Sequence, residues 1–96
     1  MLLKVCKGEN IMTIEQQKQE QNFNVLQALN LLVSERYYLS KKMDLNEIVN
    51  KGFQTILIDN CAYDFDLAID GDWVKVEKQN LETDEYRHLI GFFRIN

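Results

Sequence analysis

Residues 63–77 read YDFDLAIDGDWVKVE, and this stretch limits the fold more than any other part of the chain. Tyr63, Phe65, Leu67 and Ile69 alternate strictly with Asp64, Asp66, Ala68 and Asp70. Successive side chains of a strand point to opposite faces, so apolar residues at every second position describe a strand half-buried against a core. Asp70-Gly71 then supplies turn chemistry, because both central residues of a type I′ turn need φ > 0. A two-residue loop there pairs Leu67 with Val74 and Phe65 with Val76 on one face, and Asp66 with Lys75 and Ala68 with Trp73 on the other. Tyr63, Phe65, Leu67, Ile69, Val74 and Val76 are expected inside. Asp64, Asp66, Trp73, Lys75 and Glu77 are expected outside.

Upstream the period changes. No Gly or Pro occurs from Thr13 to about Leu39, and Val25, Leu26, Leu29, Leu32, Val33 and Tyr37 lie at helical spacing, which predicts one long helix with a buried stripe. Asp44-Leu45-Asn46-Glu47 offers a capping box for a second helix. Leu45, Ile48, Val49, Phe53, Ile56 and Leu57 keep helical spacing through Gly52, so this helix is carried to about Ile58. The competing reading ends it at Gly52 as a C-cap and makes Phe53 to Ile58 a strand. Downstream, polar residues from Lys78 to Glu85 connect to a third strand, Tyr86 to Ile95, apolar on both sides, in which Gly91 marks a bulge.

The expected fold is α+β: a two-helix hairpin packed on a small three-stranded antiparallel sheet, in the order ααβββ. The 96 residues suit one domain with a modest core. Residues 1–11 are read either as an extra N-terminal edge strand, with Leu3 and Val5 alternating with lysines, or as translated leader. The leader reading rests on KGENIM, whose codons can spell a purine-rich ribosome-binding site before a start at Met12. The domain proper is then 12–96. The abundance of Lys, Asn, Ile and Glu suits a low-GC bacterium or its phage.

Several chemistries are disfavoured. Asp66, Asp70, Gly71 and Glu77 fit slots of a calcium loop, but Ala68 stands where its third ligand belongs. The extended backbone of a hairpin also opposes wrapping an ion, so no metal or other cofactor is expected. His88 is the only histidine and has no nucleophile beside it; Cys6 and Cys61 form neither a CxxC nor a Cys/His pattern. No phosphate-loop, zincin or nucleophile-elbow motif is present. The protein is expected not to be an enzyme. With no apolar run of ~20 residues and two isolated cysteines, it reads as a soluble protein of a reducing cytoplasm.

The charge is the remaining clue. Net charge is −4, and residues 55–85 carry nine acids against two bases, a balance that disfavours direct nucleic-acid binding and favours a protein partner with a basic surface. Asp64, Asp66, Trp73, Lys75 and Glu77 are the candidate partner-binding residues. Carboxylates two apart on a strand lie ~6.6 Å apart, similar to successive phosphates. The leading expectation is a small acidic inhibitor of a nucleic-acid-handling enzyme, of the phage anti-defence, antitoxin or immunity type. Two other classes compete: a DNA-binding module in which the helices around Ser40 to Asp44 form a helix-turn-helix and Lys41, Lys42 and Lys51 touch phosphates, and a self-associating protein joined through residues 86–95.

Overall fold

The computed structural model describes residues 13–95; the expectations for residues 1–11 and for a start at Met12 lie outside the described residues. The elements run α1 (Ile14–Leu26), α2 (Val33–Lys42), α3 (Leu45–Lys51), β1 (Phe53–Ile58), β2 (Cys61–Leu67), β3 (Trp73–Asn80) and β4 (His88–Arg94). The class is α+β, with three helices and a four-stranded antiparallel sheet in the order β1-β2-β3-β4. The fourth strand among the described residues is Phe53–Ile58, assigned to a helix above.

The long helix expected from Thr13 to Leu39 is two helices folded back on each other. A helix of that length would run ~40 Å, against ~27 Å for the eight residues of β3, so one half would leave the sheet. The chain turns at 27–32 instead. Leu29 is buried there, and the Arg36 guanidinium donates to the carbonyls of Leu26 and Leu31 at 3.3 and 3.1 Å, tying α2 to the end of α1 and to the turn that follows it. Thr13 starts α1 with a capping box: its Oγ1 accepts the Gln16 N–H, and its own N–H donates to Gln16 Oε1.

Asp44 caps α3 as expected, accepting the N–H groups of Asn46 and Glu47. The reciprocal half of the box is not made by Glu47. The Asp44 N–H donates to Gln54 Oε1 at 2.9 Å, and Gln54 Nε2 donates to the Lys42 carbonyl. Gly52 ends the helix at φ 90, a left-handed conformation that glycine adopts without penalty. The strand FQTILI follows at once, rich in the β-branched residues that sheets favour.

The β2–β3 register matches the expected pairing, Leu67 with Val74, Phe65 with Val76 and Asp66 with Lys75. The turn itself does not. The Gly71 N–H donates to the Ala68 carbonyl at 2.9 Å, which makes Ile69 and Asp70 the central residues. Only Gly71 has a positive φ, 80, and Asp70 Oδ1 accepts the Asp72 N–H, an Asx-turn that fixes this geometry. Ile69 therefore sits fully exposed at the tip and not on the inner face. In β4 the register shifts opposite Val76/Glu77, leaving Ile90 as the extra residue of a bulge beside Gly91. A Cβ on Gly91 would lie 3.1 Å from Leu29 Cδ2, so the glycine admits the end of α1 to the sheet.

The core forms on one face only. Leu26, Leu39, Met43 and Ile48 meet Ile56, Tyr63, Phe65, Val74, Val76 and Phe93, with the Phe65 and Phe93 rings edge-on at 6.3 Å. None of the described helices is long and apolar enough to cross a membrane.

Candidate functional site

Among the described residues nothing covers the face of the sheet opposite the helices, and it carries all five residues singled out in the sequence. Cross-strand register arranges it in rows: Phe53, Asp66, Lys75, Phe92; then Thr55, Asp64, Glu77, Leu89; with Trp73 opposite Arg94 at one end. Trp73 is 40% exposed, Phe92 47% and Leu89 58%, so large apolar side chains surround the acidic centre. Phe53, Thr55, Leu89, Phe92, Arg87 and Arg94 were not anticipated. Phe53 and Thr55 were hidden by the helical assignment of β1, although the Asp59-Asn60 turn pair after FQTILI was a readable signal.

The carboxylates converge: oxygen atoms of Asp64, Asp66 and Glu77 lie within 4.8 Å of one another. They do not form the bare acidic row expected. Arg87 Nη1 sits 2.8 Å from Asp64 and 3.8 Å from Glu77, and Lys75 Nζ 3.8 Å from Glu77. The Thr55 hydroxyl donates to Asp64 at 2.5 Å, and the Arg94 guanidinium lies 5.9 Å from the Trp73 ring centroid. Three acids and three bases thus share this face, and the local charge is balanced. Asp66 differs from its neighbours. No hydrogen bond or ion pair reaches it among the described residues; burial raises its pKa, nearby Asp64 adds to the rise, and Lys75 only partly offsets it through space.

The surplus acidity lies at the ends of the sheet. Asp59, Glu82, Asp84 and Glu85 occupy the loops at one end, Asp70 and Asp72 the hairpin at the other. His88 is on the surface, 3.5 Å from Asp84. Asp70, a calcium-loop slot in the sequence, is in that tip loop, whereas Asp66 and Glu77 stand on strands.

A second polar cluster lies on the helix side. Glu35 Oε2 accepts from the Tyr63 hydroxyl at 2.5 Å and from Lys78 Nζ at 2.7 Å, joining α2 to β2 and β3 beside a hollow of about 260 Å³ that Cys61 also lines. Burial opposes ionisation of Glu35, but the bonds from Lys78, Tyr63 and the Leu32 N–H outweigh it and hold the carboxyl below its usual range. Burial and the bond to Glu35 push Tyr63 up to about 12. The same bond raises Lys78. Every shift moves away from neutrality, opposite to the tuning that general acid–base catalysis uses. The cluster is a tie between layers.

A larger groove of about 650 Å³ runs between α1 and the α2–α3 link. Its buried polar group is already occupied, since Asn22 Nδ2 donates to the carbonyls of Ser40 and Met43. The lysines invoked for a helix-turn-helix do not form one patch: Lys41 lies over the Tyr37 ring at 4.4 Å and Lys51 near Glu47 at 3.9 Å, while α2 pairs with α1 and the seven-residue α3 packs on β1 and β2. Comparison with protein-family models, with curated proteins and with solved structures finds no significant match.

Proposed function

We propose that this protein is a non-catalytic binding protein that presents the open face of its sheet to a protein partner. The observation that carries this reading is Asp66, a half-buried carboxylate with no ion pair among the described residues, set between Phe53 and Lys75 on a face of exposed Trp73, Leu89 and Phe92. An uncovered apolar patch is normal for a docking surface and costly otherwise. A partner arginine or lysine would give Asp66 its counter-charge while aromatic rings cover the cation's apolar stem.

The partner's expected character follows from the distribution of charge. A neutral, apolar centre with acidic loops at both ends matches an interface whose rim is basic. A nucleic-acid-handling enzyme offers such a surface, so inhibition of one in a reducing cytoplasm is the activity we propose. Imitation of a phosphate track is no longer part of it, because Arg87 occupies Asp64, one of the two strand carboxylates that would form the track. The triple variant Trp73→Ala/Asp66→Asn/Phe92→Ala tests the assignment by affinity capture from a low-GC bacterial lysate with mass spectrometry. Partners held by the wild type should be lost with the fold retained by circular dichroism; unchanged capture would reject this face.

A further inference from the structure

We infer that the open edge of β1 pairs with the same edge of a second copy of this chain, about a two-fold axis at Thr55. In the β1–β2 ladder the Leu67 N–H donates to the Gly52 carbonyl, and hydrogen-bonded pairs alternate along an antiparallel ladder. Gly52, Gln54, Ile56 and Ile58 therefore turn their backbone groups toward β2. Phe53, Thr55 and Leu57 turn theirs outward, and β1 is the edge strand among the described residues.

The sequence of this edge is self-complementary. Antiparallel pairing centred on Thr55 sets Phe53 against Leu57 of the other copy twice, which covers two side chains that are 53% and 61% exposed, and it uses the outward N–H and C=O of all three residues. The strand FQTILI contains no charge. The first charges beyond it are Lys51, which ends α3, and Asp59, in the turn after β1, each four residues from Thr55 and both exposed, so the same two-fold brings opposite charges to each end of the paired strands. No other antiparallel register aligns both the apolar and the charged pairs. An uncharged, unpaired edge is a template for strand addition unless something guards it. The opposite edge is guarded: β4 carries a bulge beside Gly91 and ends in His88 and Arg94. This differs from the self-association through residues 86–95 expected from sequence; it engages the Phe53–Thr55 margin of the outer face and leaves Trp73, Leu89 and Phe92 to the partner proposed above.

An interface of one strand pair lies below the ~1,200 Å² of stable complexes, so the dimer should be concentration-dependent. Sedimentation of the full chain should show a monomer–dimer equilibrium at concentrations on the order of 0.1 mM, with slow hydrogen exchange at Phe53, Thr55 and Leu57 only in the dimer. Thr55→Lys puts two like charges opposite each other at the axis and should abolish the dimer with the monomer fold intact. Lys51→Glu should weaken it several-fold, and the double swap Lys51→Glu/Asp59→Lys should restore it. A monomer at every concentration overturns the inference, whether those three amides exchange freely or stay protected by another part of the chain. So does a dimer indifferent to Thr55→Lys.

Discussion

The two faces of this sheet are made by the same four strands, and they treat polar and apolar groups in opposite ways. On the inner face every polar side chain has its match: Glu35 takes Tyr63 and Lys78, and Gln54 bridges the Asp44 N–H and the Lys42 carbonyl. Apolar groups there are covered by helices. On the outer face, among the described residues, the apolar groups are uncovered and one carboxylate, Asp66, has no ion pair. The inner face is complete as it stands, and the outer face gains by meeting something else.

The sharpest test of that contrast is a matched pair of truncations. Phe65→Ala removes a fully buried ring and should cost about 3–5 kcal/mol, whereas Phe92→Ala on the outer face should cost under ~1 kcal/mol; urea unfolding measures both. Glu35→Gln leaves Lys78 and Tyr63 without a charged acceptor and should cost about 1–3 kcal/mol. Its pH signature has a definite sign. Because the folded pKa of Glu35 lies below its ordinary 4.5, the stabilisation is fully present above that value and is lost as pH falls through the lower folded one; thermal melts between pH 6 and 3 should be flatter for Glu35→Gln. Gly91→Ala brings a methyl 3.1 Å from Leu29 Cδ2 at φ 152 and should cost about 1–2 kcal/mol by the same melts.

Asp66→Asn should give the smallest effect and the opposite sign. Its folded pKa is raised, so the ionised form disfavours the native state at neutral pH, and the amide should stabilise by up to about 0.5 kcal/mol. Partner capture should fall in the same variant. A stability gain with a binding loss is the mark of a surface kept for function.

The sheet was legible wherever a local pattern decided the structure. Strict alternation fixed the β2–β3 register and the inner and outer assignment of Asp64, Asp66, Lys75, Glu77 and Trp73, because a one-residue slip would bury the aspartates. The class and the bulge at Gly91 were legible for similar reasons. Two features were not. Leu29 and Leu32 fit one helical stripe, but the break between them depends on Arg36 reaching three-dimensional neighbours. Phe53, Ile56 and Leu57 also fit a helix, and only the left-handed Gly52 ended it. Arg87 illustrates the limit for the site. Nothing local says that a residue in the β3–β4 loop will fold over Asp64.

Strand order in this sheet equals chain order, which bears on how the molecule assembles in time. Each strand pairs with its sequence neighbour through a short connection, so the meander can zip from any of its turns without first closing a long loop. The α1–α2 hairpin is equally local. Long-range closure is left to the packing of Leu26, Leu39, Met43 and Ile48 on the sheet, with Leu29 at Gly91 and Glu35 at Lys78. Strand pairing between sequence neighbours is the topology that favours fast folding among mixed α/β domains.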